Sequence, residues 1–297
     1  MATFENVQRP VSDLQIVARI SIPGSPDWVA IDEQAVWASN SANNSLARID
    51  PVASELVTTV AVSRGPCSGL AAGFGSVWSP SCQEQRIDRV DSATNALVAQ
   101  IPAGVADSEG AIAAAAGSVW MMTDRNGTLS RIDPSANKVV SSTRLDSESF
   151  AIAATPQAVW ITSTANARLL RVDPQTSEVL ARIPTGPSPR FLCTTDDSVW
   201  VLNQGDGTVT RIDTDSHNVI ATIEVGNNGP GGDIAAGEGA VWVTAVNVPL
   251  TRIDPATNKV TSQFVGSGGD ALRVGHGSLW LCSFFLQEMW RVKPPPG

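Results

Sequence analysis

The feature that most constrains the fold is a tryptophan that returns at nearly constant intervals. Seven of the nine tryptophans in the 297-residue chain follow an aliphatic residue, and consecutive ones are 38 to 42 residues apart. They are Trp37, Trp78, Trp120, Trp160, Trp200, Trp242 and Trp280. In six of the seven units an arginine comes 11 residues later, usually followed by Ile or Val and then Asp. A repeat of this length indicates seven copies of one structural unit.

Each unit is predicted to contain four short strands. Examples are an inner strand "DIAAG", a second "AVWVT", a third "TVTRID" and an outer "NVIATIEV", separated by Gly, Asn and Asp-Pro turns. Four-stranded units of about 40 to 45 residues are typical of β-propellers, whereas ankyrin and tetratricopeptide repeats are shorter and helical. The sequence therefore predicts an all-β, seven-bladed β-propeller with four-stranded antiparallel blades.

The two ends of the chain are predicted to close the ring. Unit seven ends at "RVKPPPG" without an outer strand, and "LQIVARISIPG" near the N-terminus matches the outer-strand sequence "SEVLARIPTG". We expect a strand at about 14–22 to complete the last blade, so that 1–297 is one propeller domain with tails at 1–12 and 294–297. Closure of this kind removes the free sheet edge that would otherwise invite aggregation.

The repeated residues themselves are interpreted as framework. A tryptophan at one register of every second strand fits a large apolar contact between blades. The arginines are expected to tie strands or blades together, and Asp-Pro at Asp50, Asp133, Asp173 and Asp254 is expected to begin tight turns. Residues that break the repeat are therefore the better candidates for a site.

Composition narrows the choice of partner and leaves the compartment open. The formal net charge of −9 repels phosphate backbones and anionic lipid, so we expect neither a nucleic acid nor a membrane partner. The start of the chain lacks the pattern of a signal peptide, and no run is apolar enough to span a bilayer. We expect a monomer that is secreted or periplasmic if a signal was removed, and cytoplasmic otherwise.

The loops that lead into the inner strands contain the residues that break the repeat. In propellers these loops surround the channel mouth, where ligands usually bind. They lie nine to twelve residues before each repeated tryptophan. The carboxylates there are Asp27, Glu109, Glu148, Asp233 and Asp270. The other large side chains are Trp28, Phe150, Phe191 and Arg190.

Several interpretations of this mouth remain open. Glu109, Asp233 and Asp270 would suit Ca²⁺ or Mg²⁺, which prefer oxygen ligands. Crowded carboxylates without a metal would instead shift one pKa upward and supply an acid and a base. The acids would otherwise simply be solvated. The three aromatic residues would stack on a flat or sugar-like ligand, or they would pack against the protein.

Two of the four cysteines are predicted to lie at the same mouth. Cys67 precedes an inner strand and Cys82 follows Trp78 in the same blade, so their Cα atoms can approach the roughly 5.5 to 6 Å of a disulfide. A disulfide in an exported protein, a pair of thiols, and a soft-metal or nucleophilic site are the alternatives, in that order. Cys193 and Cys282 are expected at buried, inert positions.

The repeat also resembles a known group of propellers. The pattern is legible in "GPCSGLAAGFGSVW" and "RIDPATNKV", and it resembles YVTN-type propellers and the virginiamycin B lyase group over the whole chain. That resemblance implies an Mg²⁺-assisted elimination that opens a cyclic depsipeptide, with a His after Pro in the inward loop and Glu three or four residues after the repeat Trp. After Pro in the inward loops this chain has no His but Asp27, Cys67, Arg190 and Gly231. Three or four residues after the repeat tryptophans, only Asp124 is acidic.

Two functional hypotheses follow. The first is a binding or interaction propeller that holds a small molecule, a cation or a peptide at the channel mouth. The alternative is a metal-assisted lyase or hydrolase in which Asp233, Glu109 and Arg190 are catalytic and Glu109, Asp233 and Asp270 hold the metal. The remaining predicted ligand contacts are Asp27, Trp28, Glu148, Phe150, Phe191, Asp270 and Asp124.

Overall fold

The structure is a ring of seven β-sheets, as the sequence predicts. It is a computed structural model that describes residues 4–106, 109–226, 229 and 231–296. This part of the chain contains 29 strands and one turn of 3-10 helix at Val11–Asp13. None of the described residues forms a helix long and apolar enough to cross a membrane.

The strands are numbered along the chain. Before the first blade come β1 (Gln8–Pro10) and β2 (Ile16–Ser21). Blade one is β3 (Pro26–Ile31), β4 (Val36–Asn40), β5 (Ser45–Asp50) and β6 (Glu55–Ala61). Blade two is β7 (Ala71–Gly73), β8 (Ser76–Ser81), β9 (Arg86–Asp91) and β10 (Leu97–Pro102). Blade three is β11 (Ile112–Ala115), β12 (Ser118–Met122), β13 (Thr128–Asp133) and β14 (Lys138–Arg144).

The later blades repeat this order. Blade four is β15 (Ser149–Thr155), β16 (Ala158–Ser163), β17 (Arg168–Val172) and β18 (Val179–Pro184). Blade five is β19 (Pro189–Thr194), β20 (Ser198–Asn203), β21 (Thr208–Asp213) and β22 (Val219–Glu224). Blade six is β23 (Asp233–Gly237), β24 (Ala240–Ala245), β25 (Val248–Asp254) and β26 (Lys259–Val265). Blade seven is β27 (Leu272–Gly275), β28 (Ser278–Ser283) and β29 (Glu288–Val292).

Each blade is antiparallel, and its first strand lies at the centre of the ring. Every inner strand contacts the inner strand of the next blade, and β27 of blade seven contacts β3 of blade one. The predicted N-terminal strand closes the circle, because β2 pairs antiparallel with β29 and becomes the fourth strand of blade seven. Arg19 of β2 also lies 4.4 Å from the ring of Trp290.

The prediction of a free tail at 1–12 was wrong for part of that segment. Strand β1 pairs in parallel with β26 and makes blade six five-stranded. The amide N–H of Gln263 donates to the carbonyl of Val7, and the Gln8 side-chain amide donates to that of Gln263. The outer edge of a four-stranded blade still carries unpaired backbone groups, and this segment satisfies them.

The repeated tryptophans and arginines form the contacts between blades. All seven tryptophans are at most 1% exposed. Each one faces its own arginine across the strand pair, for example Trp200 and Arg211. The seven guanidinium carbons lie 4.6 to 5.9 Å from the indole centroids. Stacking on the indole leaves the guanidinium donors free to reach the next blade.

Several of these arginines donate hydrogen bonds to residues of the neighbouring blade. Arg211 Nη1 donates to the Pro255 carbonyl at 2.6 Å and to Asn258 Oδ1 at 2.9 Å. Arg291 in blade seven donates to Ser54 Oγ of blade one at 2.9 Å, across the closure of the ring. These contacts confirm the framework role that the repeat predicts for the arginines.

The Asp-Pro turns are confirmed in the same way. Asp50 Oδ1 accepts the amide N–H groups of Val52 and Ala53 at 2.7 and 2.9 Å. These backbone hydrogen bonds hold the pKa of Asp50 below its usual value, with the Ala53 N–H as the larger contributor. The repeated aspartates therefore shape turns at the surface.

The cross-blade arginine contacts should be measurable by substitution. Replacement of Arg211 by Gln removes two charge-assisted hydrogen bonds to blade six, together with bonds to Ser198 and Asp197 of its own blade. This should cost about 2 to 3 kcal/mol of unfolding free energy. The matched control is Arg252→Gln. Arg252 stacks on Trp242 in the same way, but among the described residues it donates only to Thr261 of its own blade. Urea unfolding should show the smaller loss for Arg252→Gln, and equal losses would contradict the assigned role.

Candidate ligand site at the channel mouth

The first residues of the inner strands meet at one end of the central channel. Trp28, Phe191 and Asp233 come from blades one, five and six, yet they line one cavity of about 30 Å³ together with Gly69 and Gly110. All of these positions lie nine or ten residues before a repeated tryptophan. The ring therefore brings one register of the repeat together, as the mouth prediction requires.

Four of the five predicted carboxylates approach one another there. Burial, together with the negative charges of Asp270, Glu109 and Asp233, raises the pKa of Asp27 to about 7. Burial also raises the pKa of Asp270; a hydrogen bond from the Gly232 N–H opposes the shift, and Glu109 and Asp233 add to it. Neither Asp27 nor Asp270 forms an ion pair within the described part of the chain.

Asp233 is held by donors on every side. It is 3% exposed, and it accepts the amide N–H groups of Ile234 at 2.8 Å and Leu272 at 3.1 Å. Arg273 Nη1 lies 2.6 Å from Asp233 Oδ2. A buried carboxylate needs such partners, because burial without them is costly. Asp233 is therefore a compensated charge below the mouth.

Arg273 is a site residue that the sequence reasoning did not select. It follows the buried Leu272 at the register where five other units have alanine. The sequence alone shows this departure from the repeat, and it could have identified Arg273 as a candidate site residue. The reach of Arg273 across to Asp233 of the preceding blade was not visible, because it depends on how the two blades face each other.

Arg190 pairs with Glu109 on the rim. Its Nη2 lies 3.4 Å from Glu109 Oε2, and its guanidinium carbon lies 4.9 Å from the ring of Phe150 and 5.7 Å from that of Phe191. The Glu109 side chain is 52% exposed, so this ion pair adds at most about 1 kcal/mol of stability. The rim thus already holds one cation between an aromatic ring and a carboxylate.

Trp28 and Phe191 pack together, and the cavity that they line is only about 30 Å³. They are 5% and 2% exposed, and their ring centroids are 6.0 Å apart although they belong to blades one and five. This burial favours the packing alternative for these two residues, which meet across the channel below the mouth acids. Phe150 is half-buried and packs against Arg190.

Two predicted contacts do not join this group. Asp124 lies in the turn between β12 and β13, where it accepts the Asn126 N–H and both the N–H and the hydroxyl of Thr128. Burial opposes ionisation there, but the Thr128 and Asn126 hydrogen bonds together lower the pKa of Asp124. Glu148 is exposed, has a φ of 55°, and is not among the charges that act on Asp27 or Asp270.

The predicted metal ligands do not fit a divalent ion. Within the described ranges, no three His, Cys, Asp or Glu side chains are grouped closely enough to hold a metal. Both oxygens of Asp233 already accept hydrogen bonds, and Glu109 faces Arg190. Ca²⁺ and Mg²⁺ need several free oxygen ligands in one place. The donor set of Glu109, Asp233 and Asp270 therefore does not suit the Mg²⁺ that the lyase resemblance implies.

The cysteines divide into a bonded pair and two separate thiols. Cys67 and Cys82 form a disulfide with their Cα atoms 5.8 Å apart. Between them Ser68 donates its hydroxyl to the Ala106 carbonyl at 2.6 Å, which joins blade two to the loop before blade three. Cys282 is buried as expected, whereas Cys193 is half-buried and lines the channel. Burial raises the pKa of both thiols.

Solved structures share the fold of this chain. A streptogramin B lyase matches 93% of this chain and 96% of its own length with a TM-score of 0.76 at 15% identity. Virginiamycin B lyase from Staphylococcus aureus matches 94% and 99% with a TM-score of 0.78 at 15% identity. Hydrazine synthase from Kuenenia stuttgartiensis matches 92% and 96% with a TM-score of 0.78 at 13% identity.

At these identities the likeness concerns the fold. No protein-family model matches the sequence, and no curated protein matches it. The structural matches confirm the expected resemblance to virginiamycin B lyase at the level of a seven-bladed propeller.

Ionisation of Asp27 should destabilise the folded protein. Its folded pKa of about 7 lies above the ordinary 3.8, so the folded state holds a proton that the unfolded state releases. The free energy of unfolding should therefore fall by about 2 to 4 kcal/mol as pH rises through this window, relative to Asp27→Asn. Urea unfolding between about pH 4 and pH 8 measures that difference.

Asp124→Asn is the matched control. The pKa of Asp124 is lowered, so its stabilising effect is present above pH 3.8 and is lost only as pH falls below that value. The difference in unfolding free energy between Asp124→Asn and the wild type should stay constant from about pH 5 to pH 8. If the difference in unfolding free energy between the wild type and Asp27→Asn were also constant over this pH range, the pKa of Asp27 would not be raised.

Proposed function

We propose that this protein is a binding propeller whose mouth holds a cationic organic ligand. The ligand would be a small molecule, or a peptide side chain, that carries an ammonium or guanidinium group. The observation that supports this most is the convergence of Asp27 and Asp270. These half-buried carboxylates lie close to two further acids and have no ion-pair partner among the described residues. A cation placed there would relieve both the burial cost and the repulsion.

The surroundings of these acids favour an organic cation over a metal ion. An ammonium or guanidinium group can donate separate hydrogen bonds to carboxylates that are not arranged as one coordination shell. The rim already shows this type of contact, because Arg190 lies between Glu109 and the ring of Phe150. A ligand cation at Asp27 and Asp270 would use the same chemistry.

The enzyme alternative has less support. It requires Glu109 and Asp233 to act as metal ligands or as an acid and base, and it requires Arg190 to stabilise negative charge. Glu109 and Arg190 pair with each other, and Asp233 pairs with Arg273. Because Glu109 and Asp233 already have ion-pair partners, the residues of this chain favour binding without chemistry.

Simple amines test this proposal. At pH 8, n-butylammonium and agmatine should raise the Tm of the protein in proportion to ln(1 + [L]/Kd), whereas uncharged n-butanol should not. Calorimetric affinity should be about tenfold weaker at pH 6, because Asp27 with a pKa of about 7 is then mostly protonated. Asp27→Asn and Asp270→Asn should each weaken binding, and Asp27→Asn should reduce the difference in affinity between pH 6 and pH 8.

The controls separate this proposal from its rivals. Asp124→Asn should bind the amines with unchanged affinity, because Asp124 is hydrogen-bonded within its own turn and is not among the charges that act on Asp27 or Asp270. Ca²⁺, Mg²⁺ and EDTA should leave the Tm unchanged, because the acids do not form a metal-binding group. A rise in Tm with Mg²⁺ or Ca²⁺ that Asp270→Asn removes would favour the metal alternative. Amine binding that survives both Asn variants would sink the proposed site.

A further inference from the structure

The end of the channel opposite the mouth contains a second, larger cavity. It has a volume of about 360 Å³ and is lined by the inner strands from all seven blades. At the register after the first buried aliphatic residue, five blades contribute alanine, blade five contributes Cys193 and blade seven contributes Arg273. The cavity extends to Ile31 and Val274, where the inner strands β3 and β27 end. It therefore lies at the face away from the acids.

The two ends of the channel are separated by packed side chains. Trp28 and Phe191 close the channel below the mouth, and only a cavity of about 30 Å³ lies between them and Arg273. Arg273 borders both this small cavity and the large one. A ligand in the large cavity would thus enter from the far face and meet Arg273 at its inner end.

Arg273 has hydrogen-bond donors that the protein does not use. Its Nη1 donates to Asp233 Oδ2 and to the Leu272 carbonyl, both at 2.6 Å. Neither Nε nor Nη2 donates to any other described residue. These two nitrogens lie on one edge of the guanidinium plane, and that edge can bind both oxygens of a carboxylate. The side chain is 32% exposed, so this edge is not sealed in the core.

We propose that this cavity binds a small monocarboxylate with an apolar chain. Its carboxylate would accept the Nε and Nη2 hydrogens of Arg273, and its chain would lie against the alanine methyl groups and the side chains of Ile112 and Ile152. Cavities that bind small molecules usually measure about 300 to 1,000 Å³. This cavity lies in that range, and its lining side chains are aliphatic apart from Cys193, Thr194 and Arg273.

The charges near this end allow an anion. Asp233 is the carboxylate nearest to Arg273, and the amide N–H groups of Ile234 and Leu272 already compensate part of its charge. Other acids at this face lie in the turns after the inner strands, and none of them lines the cavity: Asp32, Glu33, Asp196, Asp197 and Glu238. Water and salt screen exposed charges strongly, with a Debye length of about 8 Å at physiological ionic strength.

A homologous series of acids tests the proposal. Calorimetry with butanoate, hexanoate and octanoate should show affinity rising about fourfold for each methylene that is buried. Methyl hexanoate has the same chain without the charge, and it should bind at least about tenfold more weakly than hexanoate because charge-assisted bonds to the guanidinium are lost. Equal affinity of the acid and its ester, or no rise along the series, would overturn the inference.

Two variants locate the site. Arg273→Gln should abolish the preference for hexanoate over its ester, but it leaves Asp233 buried without its cation and can reduce stability. Ala153→Leu narrows the cavity and leaves the Arg273–Asp233 pair unchanged, so it should weaken hexanoate binding at least about tenfold in a folded protein. Hexanoate binding of unchanged affinity in Ala153→Leu would contradict the proposed location.

Hexanoate binding in this cavity can be tested independently of amine binding at the mouth. Asp124→Asn should bind hexanoate as the wild type does, because this turn borders neither cavity. Amine binding at the mouth should also be unchanged in Ala153→Leu. Failure of the amines to bind would therefore not contradict the carboxylate site, and failure of hexanoate to bind would not contradict the amine site.

Discussion

The packing of one buried tryptophan in each second strand is the contact on which the whole ring depends. Each of the seven indoles is almost completely removed from water, and each carries its own arginine on the facing strand. Large aromatic side chains contribute more apolar area to a core than any other residue type. Because the same contact recurs at every interface, the blades are held at equal spacing and the ring can close. Arg291 and β2 then extend that pattern across the junction between blades seven and one.

The ring brings residues that are far apart in the sequence close together near its axis. Asp27, Glu109, Asp233 and Asp270 belong to four different repeats, yet their charges act on one another. The channel is ordered from end to end. Acids lie at the mouth, Trp28 and Phe191 pack below them, Arg273 compensates Asp233, and alanines line the far cavity. This order keeps the crowded acids of the mouth apart from the apolar far end.

The sequence predicted the positions of the mouth residues better than their roles. Asp27 and Asp270 share one register before their tryptophans, and their charges act on each other because similar repeats put similar registers at similar heights. The sequence did not distinguish an aromatic residue that packs from one that faces a ligand, and Trp28 and Phe191 pack. Asp124 was assigned to the mouth, although local hydrogen bonds from Asn126 and Thr128 hold it in its own turn. For the expected metal ligands, proximity of charges does not by itself give free oxygen atoms in one shell, because Glu109 and Asp233 already have hydrogen-bond partners.

By itself the sequence determined the number of blades, the strand order within a blade, the framework role of the Trp–Arg pairs and the closure by β2. These features depend on local pattern and on one contact repeated many times, so the periodicity alone encodes them. Only the tertiary structure decided that Trp28 meets Phe191 across the ring, that Arg273 reaches Asp233, and that β1 pairs with β26. Each of these is a single contact between distant segments, and it depends on how far side chains reach across a closed ring, which no repeat specifies.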